Sequence, residues 1–285
     1  MTIINNEDLK YFVGGFIGGG LDHPEGIAAG KDGEAYAGGE DGQVYKIDTK
    51  TRTFSEIGNT GAFVGGLAQD GNGNVYCCCG PDIVKVTPTG KTSSYQNSNS
   101  SILELANYPV FDQNGNLYVS DSGGWKKDDG KIVKISKDGK IDVWSEEISS
   151  FPNGMALHPN RKYLYVIASL NPPRVERIKI NEDGTAGKAE KVVDLPDTVP
   201  DGLAWDEDGN LYISCYIPSK IYKLDTKDNL ELLVEDPEHT MLASPTNIAF
   251  CGNNRDILLS ANLGRGHITE IMTGVVGSKL EYPII

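Results

Sequence analysis

The chain of 285 residues carries 26 Lys and Arg against 40 Asp and Glu, a formal net charge of −14. That balance argues against nucleic acid and anionic membrane surfaces as partners. With 39% hydrophobic and 23% charged residues, its composition is that of a soluble globular protein rather than a disordered one. The N-terminus, MTIINNEDLKYFVGGFIGGG, lacks a basic segment leading into a long apolar run, and nothing approaches a membrane span. The expectation is therefore a cytoplasmic protein without a membrane or nucleic-acid partner. Its 34 Gly, 13 Tyr and many short apolar runs without sustained helical periodicity point to β-structure with frequent tight turns.

Taken in chain order, the first strand-like segment is Leu9–Ile17, LKYFVGGFI. After it the chain repeats itself. EGIAAGKDGEAY from Glu25 aligns with GGLAQDGNGNVY from Gly65, NYPVFDQNGNLY from Asn107, NGMALHPNRKYLY from Asn153 and DGLAWDEDGNLY from Asp201. A degenerate sixth copy, NIAFCGNNRDILL, starts at Asn247. In the third unit four short strands are predicted near YPVFD, NLYVSDS, GKIVKIS and KIDVWSE, the first two joined by an Asn-Gly turn. A four-stranded meander recurring at roughly 40–50 residues is the pattern of a β-propeller blade. Six units nearly exhaust the chain, so the fold predicted is all-β, one six-bladed propeller domain over residues 1–285. The last unit is short, and Leu9–Ile17 is expected to supply its outer strand and close the ring.

Cys77, Cys78 and Cys79 stand in a row in the second unit. Successive strand residues face opposite sides, so the triplet cannot offer three convergent ligands, and packing as reduced thiols is expected.

Asn153-Gly154 alone would read as a turn. The repeat gives it another meaning, because the residues heading the six inner strands are Glu25, Gly65, Asn107, Asn153, Asp201 and Asn247. Inner strands of a propeller surround one channel, so equivalent positions form a ring of side chains converging on the axis. Five oxygen-bearing side chains in one register suit a hard cation such as Ca²⁺.

The segments HPEGIA, FPNGMALHPNRKYLYVIASL, VPDGLAWDEDGNLYISCY and SPTNIAF resemble the gluconolactonase, senescence-marker-protein (regucalcin) and luciferin-regenerating-enzyme-like family along nearly the whole chain. The resemblance implies a divalent cation, usually Ca²⁺, with Zn²⁺, Mn²⁺ or Mg²⁺ as alternatives. The matching ligands here are Glu25, Asn153 and Asp201. Asn107 matches a fourth position, a ligand or substrate contact, and Asp201 matches the aspartate proposed as general base. Sugar-lactonase members often carry Arg two residues before the Asn107 position, where this chain has Leu105.

The function expected is hydrolysis of a small-molecule lactone or related ester, with the cation as Lewis acid and Asp201 as general base, direct nucleophilic attack by its carboxylate being the alternative. Hydrolysis of phosphotriesters at the same site, a calcium- or ligand-binding propeller without turnover, and a strictosidine-synthase-like condensation are the competing readings. Asp121 in YVSDSGG, Trp125 in SGGWKKDDGK and Asn247 are further candidates for substrate contact. His239 and His267 are expected to serve at the surface or in packing, and His23 to shape its loop.

Overall fold

A computed structural model of the protein describes residues 3–15, 20–96 and 102–285. Among them, strands form six four-stranded antiparallel sheets, and the only helix is one 3₁₀ turn at Asn6–Asp8. No helix among the described residues is long and apolar enough to cross a membrane. The inner strands are Ile27–Ala29, Leu67–Gln69, Ala106–Phe111, Pro152–Leu157, Val199–Trp205 and Pro245–Cys251. Each packs against the next, and the last against the first, so the sheets are the blades of a six-bladed β-propeller.

Every blade is apolar on both faces, and the core is accordingly divided among the blade interfaces. Val44, Leu67, Val75 and Cys77 fill the gap between blades 1 and 2, while Tyr118, Ile132, Met155 and Leu164 fill that between blades 3 and 4. The alternation of the strand decides the cysteine triplet. Cys77 and Cys79 pack toward blade 1 and Cys78 toward blade 3, all three buried and reduced.

Ring closure follows the expected course. Leu9–Gly14 pairs antiparallel with His267–Ile271, so the N-terminal strand is the outer strand of blade 6. Phe16 and Ile17, the far part of the predicted segment, lie outside the described residues.

The inner hairpins all turn at the same end of the channel. Asp70 holds its turn through four bonds: Oδ1 accepts from the Asn72 and Asn74 amides, and Oδ2 from Asn74 Nδ2 and the Tyr76 hydroxyl. Asp206 repeats the arrangement with the Asn210 amide, Asn210 Nδ2 and the Tyr212 hydroxyl. The turns need one residue at positive φ, which is Gly73 at 86° and Gly209 at 86°. In blades 4 and 6 that place is taken by Arg161 and Arg255, at 61° and 57°. Both arginines reach the C-terminal tail: Arg161 Nε donates to Glu281 Oε1 at 2.5 Å and Arg255 Nε to the Gly277 carbonyl at 2.8 Å.

The tail crosses this end of the channel as a strap. Ser278 N donates to the Trp205 carbonyl, Tyr282 Oη to the Ala29 carbonyl and Gly71 N to the Pro283 carbonyl. Above it lies an apolar cavity of about 280 Å³ lined by Leu67, Met155, Leu203, Ile248 and tail residues such as Leu280 and Tyr282.

Candidate active site

The opposite end of the inner strands carries the column read from the repeat. Close approach of neighbouring blades explains the glycines behind it. A Cβ added to Gly154 would lie 2.1 Å from the Asp201 carbonyl oxygen, and one added to Gly26 would lie 2.1 Å from that of Gly65. Asn153-Gly154 is therefore the entry to an inner strand pressed against its neighbour, not a hairpin turn. Glycine removes the side chain that would hold Asn153 and Asp201 apart.

Serines from the second strands fix the register. Ser122 Oγ donates to the Pro152 carbonyl at 2.8 Å and Ser169 Oγ to the Pro200 carbonyl at 2.6 Å. Ser214 Oγ donates to the Thr246 carbonyl and accepts from the Gly202 amide. In each case a serine of one blade holds the peptide just before a column residue of the next: Asn153, Asp201 or Asn247. The sequence reasoning missed these positioning residues. Part of the signal was present, since Ser122 and Ser169 follow Leu117-Tyr118 and Leu164-Tyr165 at the same spacing, whereas Ser214 stands at the place of Ser120.

Asp201 is the hub of the column. It is buried, and its carboxylate accepts from Asn153 Nδ2 at 3.2 Å and from Asn247 Nδ2 at 3.1 Å. Both asparagines are almost fully buried, and each leaves its Oδ1 without a hydrogen-bond partner. A buried amide oxygen without a partner is costly, of order 1–3 kcal/mol, and two beside one carboxylate mark a place built to receive something electropositive.

Desolvation raises the Asp201 pKa above the usual carboxylate range, against the opposing effect of the two asparagine bonds. Glu25 is raised well above its ordinary value, first by desolvation and then by the negative charge of Asp201. Two acids that resist ionising together, beside two unpaired amide oxygens, form an all-oxygen donor set. That set fits a hard divalent cation, whose charge would favour both carboxylates.

The other candidates are placed as follows. Asn107 heads its strand in the same register and its carbonyl accepts from the Gly66 amide at 2.7 Å. Asn247, expected among the substrate contacts, turns its Nδ2 to Asp201 at 3.1 Å. Asp121, also expected there, is fully buried. It accepts from the Glu104 and Leu105 amides at 3.0 and 2.7 Å and pairs with Lys131 Nζ at 3.0 Å, so it anchors the loop that carries Leu105. Trp125 is 57% exposed and meets the Phe151 ring edge-on at 4.9 Å.

His239 is exposed at the surface with Nδ1 2.7 Å from Ser219 Oγ, and His267 is buried in packing with Nε2 3.1 Å from the Met241 carbonyl. His23, at φ 41°, lies between Asp22 and Glu40 at 3.2 and 3.1 Å. Among the described residues, Asp22, His23 and Glu40 draw a ligand atom each within 4.8 Å of one another, but they are largely open to water and pair among themselves. The buried column, with the Oδ1 atoms of Asn153 and Asn247 unpaired, fits a hard cation better than this exposed group does.

The profile of the family described as "SMP-30/Gluconolactonase/LRE-like region" matches residues 42–261. The chain belongs to this family. A lactonase, drp35, of Staphylococcus haemolyticus is 21% identical over 235 residues, covering 78% of this chain and 72% of that protein. An uncharacterized protein of Sulfolobus acidocaldarius is 31% identical over 112 residues, and that match spans 37% of this chain and 38% of the relative's length. The crystal structure of a calcium-binding protein, regucalcin, from Agrobacterium tumefaciens superposes with a TM-score of 0.76 at 18% identity, covering 100% of this chain and 99% of that one. At that identity the likeness establishes the fold.

Proposed function

We propose that the protein is a divalent-cation-dependent hydrolase of lactones or related esters, acting on a small-molecule substrate at the Glu25–Asn153–Asp201–Asn247 column. The observation that carries this reading is the pair of buried, unpartnered amide oxygens flanking an Asp201 carboxylate kept out of water. The family's lactonase drp35 supports the reaction class, and its regucalcin relative, named a calcium-binding protein, supports the ion.

Glu25, Asp201 and the Oδ1 atoms of Asn153 and Asn247 would hold the cation, Ca²⁺ by donor type, with Asn107 on the neighbouring strand as a further oxygen ligand or substrate contact. When bound, a divalent ion supplies Lewis-acid polarisation of the ester carbonyl. The chain's own residues do the rest. Asp201 accepts the proton of the attacking water at a carboxylate oxygen, and the Asn153 and Asn247 amides keep that carboxylate from rotating. Gly154 and Gly202 keep side chains out of the contact between inner strands, which sets the spacing of the donors.

The test is turnover of a lactone panel before and after chelation, paired with calorimetric titration of Ca²⁺ into the chelated protein. Loss of turnover on chelation, recovery on adding Ca²⁺, and a binding isotherm abolished in Glu25→Gln are expected. Turnover that survives exhaustive chelation would overturn the cation-dependent reading. Tight Ca²⁺ binding without hydrolysis of any lactone or phosphotriester would leave a cation-binding propeller.

A further inference from the structure

One step outward from the column lies a second ring that the repeat also defines. The residues two places before the column positions are His23, Phe63, Leu105, Phe151, Val199 and Pro245. Four consecutive blades, 2 to 5, thus present Phe, Leu, Phe and Val. Phe63 is 41% and Leu105 38% exposed, unusual for large apolar side chains with a closed core available nearby.

Two further exposed apolar residues join the same arc. Trp125 stands edge-on to Phe151, and Ile217, 51% exposed, is the strand partner of Val199. Blade 1 departs from the pattern, with His23 beside Asp22 and Glu40. The mouth above the column therefore has a long apolar side and a short charged one.

The apolar side is held in place rather than collapsed. Phe151 occupies a left-handed backbone conformation, φ 56°, which a phenylalanine rarely adopts. Leu105 is fixed from behind by the buried Asp121 carboxylate, itself paired with Lys131. A strained, half-buried aromatic carrying the exposed Trp125 on its edge, and an anchored, exposed leucine, at the rim of the column are what a preformed apolar substrate wall requires.

Resting on the hydrolase reading above, we infer that Phe63, Leu105, Trp125, Phe151, Val199 and Ile217 form the specificity wall, and that the substrate is a lactone or ester bearing an alkyl or aryl substituent rather than a polyhydroxylated sugar lactone. The arc offers no side-chain hydrogen-bond partner for ring hydroxyls except the Trp125 indole N–H. It would desolvate them without compensation. An alkyl chain loses only its contact with water.

Two measurements on the Ca²⁺-supplemented protein separate this inference from the reaction itself. The first is kcat/KM for δ-lactones with unbranched alkyl substituents of increasing length, compared with glucono-δ-lactone. A rise of about two- to fourfold per methylene, carried by KM, is expected while the chain remains on the wall. Leu105→Arg should flatten the dependence. The second is binding of the corresponding alkyl lactams, which resist hydrolysis, followed through Trp125 fluorescence with Trp125→Phe as control for the other tryptophans.

Lactam affinity should climb with chain length even if no lactone is turned over, which would isolate a failure of the hydrolase reading. Rates and affinities independent of chain length, or a preference for glucono-δ-lactone, would overturn the wall.

Discussion

The two ends of the inner strands make the same repeat do opposite things. At the hairpin end, Asp70 and Asp206 are as buried as any residue in the protein, yet their oxygens are bound by donors from the same turn. At the other end, Asp201 receives only two amide bonds, from other blades, and those leave two oxygens unpaired. Buried carboxylates occur at both ends, so burial does not locate the site. What distinguishes the column is two unpartnered amide oxygens, those of Asn153 and Asn247, beside one buried carboxylate. The hairpin carboxylates are satisfied by local structure and that end is strapped by the C-terminal tail, whereas the column end keeps the Oδ1 atoms of Asn153 and Asn247 free of hydrogen bonds.

If that contrast is right, substitutions at the two ends should separate activity from stability. The largest effect is expected for Asp201→Asn, which keeps an oxygen in place but removes the charge and the proton acceptor. Lactone turnover at saturating Ca²⁺ should fall by about 10²-fold or more. The melting temperature of the cation-free protein should hold or rise, because a buried charge is removed. Full recovery of turnover at high Ca²⁺ would mean that Asp201 only holds the ion.

Asp70→Ala tests the other end. It strands the buried Asn74 amide and the Tyr76 hydroxyl, and unfolding in urea should show a loss of about 2–4 kcal/mol. At a temperature where the variant is folded, its kcat/KM should match that of the parent. An equal fall in turnover would erase the distinction between the ends.

The smallest expected effect is on pH dependence. Glu25 and Asp201 both have folded-state pKa values raised above their unfolded ones. From the ordinary carboxylate range upward toward neutrality these two sites therefore hold protons that the unfolded chain has released, and their contribution to stability falls as pH rises through that window. It acts against the opposite contribution of His158 and His267, whose pKa values burial lowers. Thermal melts of chelated protein should show this decline, and Ca²⁺ should flatten it. A melting temperature indifferent to both pH and Ca²⁺ would remove the column from consideration as a cation site.

Much of this was legible in the chain. The repeats gave six blades because each carries its own strand period, and blades 1, 2, 3 and 5 a hairpin glycine, which are local properties. The shortness of the unit from Asn247 gave the closing role of the N-terminal segment, since an open sheet edge must find a partner. The column itself could be read because register, once fixed by the repeat, assigns equivalent residues to equivalent places.

Bonding within the column could not be read in the same way. Asn153, Asp201 and Asn247 are 48 and 46 residues apart along the chain, and only the packing of blades 4, 5 and 6 decides that both amides turn to one carboxylate. The same holds for Asp121. A carboxylate after a strand looks the same in sequence whether it faces the channel or its own loop, and here the Glu104 and Leu105 amides claim it. The sequence by itself determined the number of blades, their closure and the identity of the ring residues, because periodicity and turn chemistry act over a few residues. The tertiary structure decided which polar atoms are paired and which are left waiting, because hydrogen bonding in the channel is settled between strands that meet only when the ring closes.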